Sequence, residues 1–174
     1  MATTHPIRPL RVRVRGNQNL SLMVENKAEG ASQTFAAGAP VKTVAGLIVE
    51  AADPVVTLYG IAVRPGQNLA LPTVEAEVVP ITAGVSFWAN FTADPTGTTA
   101  FAAADMDAMG SVRETVAGGI WYVKDDAGVA DVCVMMGNKS DYTPPNVAPA
   151  AIAVGDLNVR AEFVFLPSVA ELQN

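Results

Sequence analysis

The sequence predicts an all-β fold, an antiparallel sandwich or barrel of about nine short strands with one short helix and an extended N-terminal arm. Two observations predict it. The 14 glycines and 12 prolines recur every few positions and cut the chain into pieces too short for most helices. The pieces between them are rich in Val, Thr, Ile and aromatic residues, and several alternate apolar with polar positions, the period of a half-buried strand.

Taken in order, Arg11-Val12-Arg13-Val14-Arg15 sets its valines on one face and its arginines on the other, because strand side chains alternate. Residues 20–24 read as a second strand, and residues 27–38, small and polar, as a loop. Residues 41–50 and 55–63 read as a hairpin or meander pair with Asp53-Pro54 at the turn. Glu75-Ala76-Glu77-Val78 alternates with its acids outward, and Pro80 ends that strand or places it at a sheet edge. Residues 85–91 carry Phe87, Trp88 and Phe91, the densest aromatic cluster, and Asp94-Pro95-Thr96-Gly97 follows with the spacing of a type I turn.

The one helix is expected over residues 101–109, with Thr99 as its cap and Gly110 at C′. Residues 120–124 and 129–136 then form a hairpin around Asp125-Asp126-Ala127-Gly128. Residues 142–149, with Pro144, Pro145 and Pro149, are an extended linker or surface loop. The best strand is residues 157–166. Leu157, Val159, Ala161, Phe163 and Phe165 face one way there, and Asn158, Arg160 and Glu162 the other.

Charge divides the chain unevenly. Arg8, Arg11, Arg13 and Arg15 stand in the first fifteen residues with no acid among them. Subtracting these four from the 11 basic residues leaves 7 against 17 acids, a formal charge of −10 for the rest. The expected organisation is a basic arm over residues 1–18 and a single acidic β domain over 19–174. Four like charges with Pro6 and Pro9 leave the arm little reason to pack alone, so it is expected to order on a partner.

Only 16% of residues are charged, against about 25% in an average soluble domain. A surface so short of charge points to contact with partners. No apolar stretch approaches the roughly 20 residues of a spanning helix, and no signal peptide is supported, so neither membrane nor export is expected. Cys133 is the single cysteine, which excludes an internal disulfide; between Val132 and Val134 it reads as a buried, inert thiol in a reducing cytoplasm.

Catalytic patterns are not found. With one histidine, His5, near the N-terminus, a Cys/His metal cluster cannot be assembled, and a nucleophile triad would need His5 to reach the body. Asp105 and Asp107, then Asp125 and Asp126, do not fit a calcium-loop spacing and read as a helix flank and a turn. Glu75 and Glu77 read as a solvated strand face rather than a glycosidase pair. Gly110, Gly118 and Gly119 lie too far from any Lys-Ser or Lys-Thr for a phosphate loop, and the N-x-S/T triplets at Asn19, Asn90 and Asn138 carry no meaning without export. No enzyme activity, cofactor or metal is expected. The arginine run is a poor nucleic-acid arm in front of a body that repels phosphate; it suits an acidic protein surface, or is simply the solvated face of an edge strand.

The middle of the chain carries a resemblance. Ala37-Gly38-Ala39-Pro40-Val41, Tyr59-Gly60-Ile61-Ala62-Val63 and Val79-Pro80-Ile81-Thr82-Ala83-Gly84-Val85-Ser86-Phe87-Trp88-Ala89 resemble the layout of tailed-phage capsid decoration (cement) proteins. Gly110-Ser111-Val112 and Gly119-Ile120-Trp121-Tyr122-Val123 continue the style, so the resemblance runs from about Ala37 to Gly137. It rests on style and spacing. It implies a β-rich, commonly trimeric protein on the capsid exterior, made in the host cytoplasm, that binds the major capsid protein and stabilises the shell. The N-terminal arm would grip the shell through Arg8, Arg11, Arg13 and Arg15. Two alternatives stay open: another virion β protein, such as a tail or head-fibre base, and a β-sandwich carbohydrate-binding module using Trp88, Trp121 and Tyr122.

Overall fold

In the computed structural model, residues 4–14, 23–70, 74–82, 85–92, 100–102, 105, 109–114, 119–124, 131–136 and 153–171 are described. They form an all-β protein of two antiparallel sheets sharing one core. The strands are β1 (Arg11–Val14), β2 (Glu25–Ala28), β3 (Pro40–Val44), β4 (Leu47–Glu50), β5 (Gly60–Ala62), β6 (Glu75–Pro80), β7 (Val85–Asn90), β8 (Met109–Glu114), β9 (Trp121–Lys124), β10 (Cys133–Met135) and β11 (Arg160–Phe165). One sheet has the order β1-β7-β11-β10-β8-β9 and the other β2-β6-β5-β3-β4.

The predicted late strand is present as β11, and its inner face anchors the core. Val159, Ala161, Phe163 and Phe165 are buried and Leu157 is half-buried. The Phe87 ring stacks on Phe165 at 4.3 Å and on Phe163 at 5.8 Å, and Phe91 stacks on Phe163 at 6.1 Å. β7 lies between β1 and β11 and is buried along its whole length, which explains its concentration of aromatic residues. Cys133 is fully buried, and its thiol donates to the Gly110 carbonyl at 3.3 Å. Burial pushes the thiol's pKa well above its ordinary value, which keeps it protonated and inert.

Several expected pairings differ. Residues 41–50 are themselves a hairpin, because Ala45 (φ 50°) and Gly46 (φ 81°) supply the left-handed pair that a two-residue turn demands. β5 then pairs with β3 on its other side, so no hairpin turns at Asp53-Pro54. β9 pairs with β8, and β10 fits between β8 and β11, so the expected hairpin of residues 120–136 does not form. Met109 and Gly110 belong to β8, which excludes a helix running to Met109 with Gly110 as its cap. Pro167–Val169 forms a 3-10 turn. β2 begins just after the span 20–24 read as the second strand and shares only Lys27 and Ala28 with the span read as a loop, while residues 20–22, the turn at 94–97, residues 125–128 and the Pro-rich 142–149 lie outside the described residues.

Candidate docking surface

Residues 4–14 run along the body. Residues 11–14 add to the edge of the larger sheet, with Arg11 opposite Trp88 and Arg13 opposite Ser86. The segment before them is clasped. The Asn90 side chain accepts from the Arg8 N–H at 2.9 Å and donates to the Pro6 carbonyl at 3.1 Å. The Arg160 guanidinium donates to the Arg8 carbonyl at 3.2 Å, to the Pro9 carbonyl at 2.9 Å and to Asn90 Oδ1 at 3.2 Å. Arg160, which the alternation sets on the side opposite the apolar face, is 3% exposed. Strand alternation does point it away from the aromatic core, but the N-terminal segment covers that side.

Next to Arg160 the chain closes tightly. Leu10 is buried, and Gly38 (φ 88°) faces its backbone so closely that a Cβ there would lie 2.5 Å from the Leu10 carbonyl. Residues 4–14 meet the body through backbone hydrogen bonds and two buried polar side chains.

Arg8, Arg11 and Arg13 are exposed, and Arg15 lies outside the described residues. The structure brings Arg11 and Arg13 to one face of β1 but spends Arg13 internally. Its guanidinium meets Glu162 at 2.7 Å and lies 5.4 Å from the Trp88 ring centroid. Glu162 also accepts from the Ser86 hydroxyl at 2.6 Å. The Arg13 side chain remains 48% exposed, so solvent screens the pair and it adds little stability. Arg11, on the same face, stays outward.

From this cationic end the outer face of the sheet turns apolar. Registers place Arg13, Ser86, Val164, Val134 and Met109 close to one row across five strands. Met109 is 51% exposed, and Met136, beside the row, is 40% exposed. Sequence reading missed this row because Met109 was assigned to a helix; the signal available was the alternation of Met109, Ser111 and Arg113. Beside β1 runs a groove of about 370 Å³ lined by Pro9, Leu10, Arg11 and Val12 on one side and by Gly38, Ile61, Ala62 and Val79 among the residues on the other.

The remaining candidate groups are used structurally. Trp88, Trp121 and Tyr122 are all buried, so they present no aromatic platform to a sugar. His5 stands 3.5 Å from Asp156. Among the described residues no group of three potential metal ligands occurs, and no helix is long and apolar enough to cross a membrane. Between the sheets, Glu50 accepts from Trp121 Nε1 at 3.3 Å. Burial raises the Glu50 carboxyl above its ordinary value of 4.5, Glu114 adds to the rise, and the Trp121 hydrogen bond opposes it.

That position carries a testable consequence. A carboxyl whose pKa is higher in the folded state contributes stability below its unfolded value and loses it as pH rises through the folded value. Glu50→Gln keeps an acceptor for Trp121 without the charge, so it should melt above the wild type at neutral pH and lose the slope just above pH 4.5. A variant that melts below the wild type at neutral pH would show that the ionised form is the one stabilised. Compared with known protein families, with curated proteins and with solved structures, the chain matches none.

Proposed function

We propose that this chain is a structural virion protein that binds the outer surface of a tailed-phage capsid and stabilises the shell, assembling there as a trimer. The observation that carries the reading is a cationic strand displayed by an acidic body, with Arg8 and Arg11 exposed at the end of a sheet whose face continues into the Val164, Val134 and Met109 row. A half-buried apolar row that ends on the exposed Met109 and Met136 and is rimmed by charge fits a protein partner. Because residues 11–14 are already a strand, binding would not have to order them, and less free energy is lost on association.

A threefold or pseudo-threefold capsid site repeats every contact of a trimer. Effective concentration then raises the total above one contact's affinity by roughly 10²–10⁴-fold. Each bound trimer favours the expanded shell by mass action, since a broken shell lacks the site.

The test is co-sedimentation of the purified protein with expanded heads and with unexpanded precursors of the virus that encodes it. Binding to expanded heads alone is the expected result. Replacing Arg8, Arg11, Arg13 and Arg15 with serine should lower occupancy at limiting concentration, with the β circular dichroism retained. Full occupancy by that variant would show that these arginines are not the grip. Failure of the unmodified protein to bind heads would overturn the whole reading.

A further inference from the structure

We propose that the open edge of β1 accepts an extended acidic segment of another protein as an added strand. β1 ends its sheet, and among the described residues no strand pairs with its outer side. The Arg13 carbonyl points toward β7, where the Ser86 hydroxyl reaches it at 3.4 Å. Backbone groups alternate sides along a strand, so the N–H and C=O of Val12 point to the open edge. Such an edge is a template for strand addition.

Two features choose the occupant. The groove beside the edge is floored by the buried Leu10, Ile61, Ala62 and Val79 and rimmed by Pro9, Val12, Ala37 and Val63, and small apolar side chains of an added strand can rest against that rim. On the outer face, Arg11 and Arg13 occupy alternate positions. A second copy of β1 laid antiparallel on the first would set arginine against arginine, and like charges across a strand pair are destabilising. The matching strand therefore carries acids at alternate positions with apolar residues between them. Which protein supplies that strand rests on the capsid reading above; the edge and its chemistry do not.

The probe is a short synthetic peptide alternating glutamate and valine, titrated into the full-length protein and followed by amide chemical shifts. Shifts centred on residues 10–14, Gly38 and Ala62 are expected. A lysine–valine peptide, or the glutamate peptide N-methylated on its bonding edge, should bind at least about tenfold more weakly. Arg11→Glu should cancel the preference between the two charge patterns, since Arg13 remains on the same face. Val12→Pro removes the outward N–H at a place where an edge strand tolerates proline, and it should abolish the shifts.

Equal binding of both charge patterns, or shifts away from β1, would overturn the edge site even if Val12→Pro fails to fold. Peptide binding without capsid binding would leave the edge site standing and overturn the capsid reading. Capsid binding with no peptide shifts would do the reverse.

Discussion

Replacing Phe163 with alanine should lower stability by about 3–5 kcal/mol, the cost of removing a large aromatic side chain from a packed core. Phe163 is fully buried and stacks between Phe87 and Phe91, so its loss removes ring contacts on two sides at once. The surrounding residues are held by strand pairing to β7 and β10 and have little freedom to collapse into the space. Urea denaturation followed by circular dichroism measures the effect. An unchanged midpoint would show that β11 does not hold its inner face in this register.

Arg160→Met is the second large effect, expected at about 1–3 kcal/mol, because it removes a buried donor shared by the buried Asn90 and two part-buried carbonyls. Exchanging a buried charge for an apolar side chain is often neutral when both partners go together. Here two of the acceptors are the backbone carbonyls of Arg8 and Pro9, which no side-chain substitution can remove. The variant should also expose residues 4–10 to proteases before the body unfolds, since the clasp loses the three Arg160 hydrogen bonds and keeps those of Asn90 and the His5–Leu157 backbone bond. Melting and cleavage indistinguishable from the wild type would mean that the β1–β7 ladder holds the segment unaided.

Legibility in the sequence followed the range of the interactions. Glu75-Ala76-Glu77-Val78 and the run from Val159 to Phe165 declared themselves because a strand with one face in the core alternates residue by residue. The buried thiol at Cys133 followed from its apolar neighbours. Partner choice was less readable. β9 has a turn-like segment after it, as a hairpin strand would, yet its partner is β8; nothing local distinguishes the two pairings, and the sheet order is settled by which strands cover the aromatic core.

The candidate surface divides in the same way. The alternation of arginine with valine in residues 11–15 determines a strand with one cationic face, and the Gly/Pro punctuation with β-branched segments determines an all-β class; both are properties of neighbouring residues. Only the tertiary structure decides that this strand joins the sheet beside β7. It also commits Arg13 to Glu162, 149 positions away, and makes Arg160 a buried clasp rather than a solvated charge. Those outcomes depend on contacts between residues far apart in the chain. The same side chain is solvated or buried according to what folds over it, and local alternation carries no record of that cover.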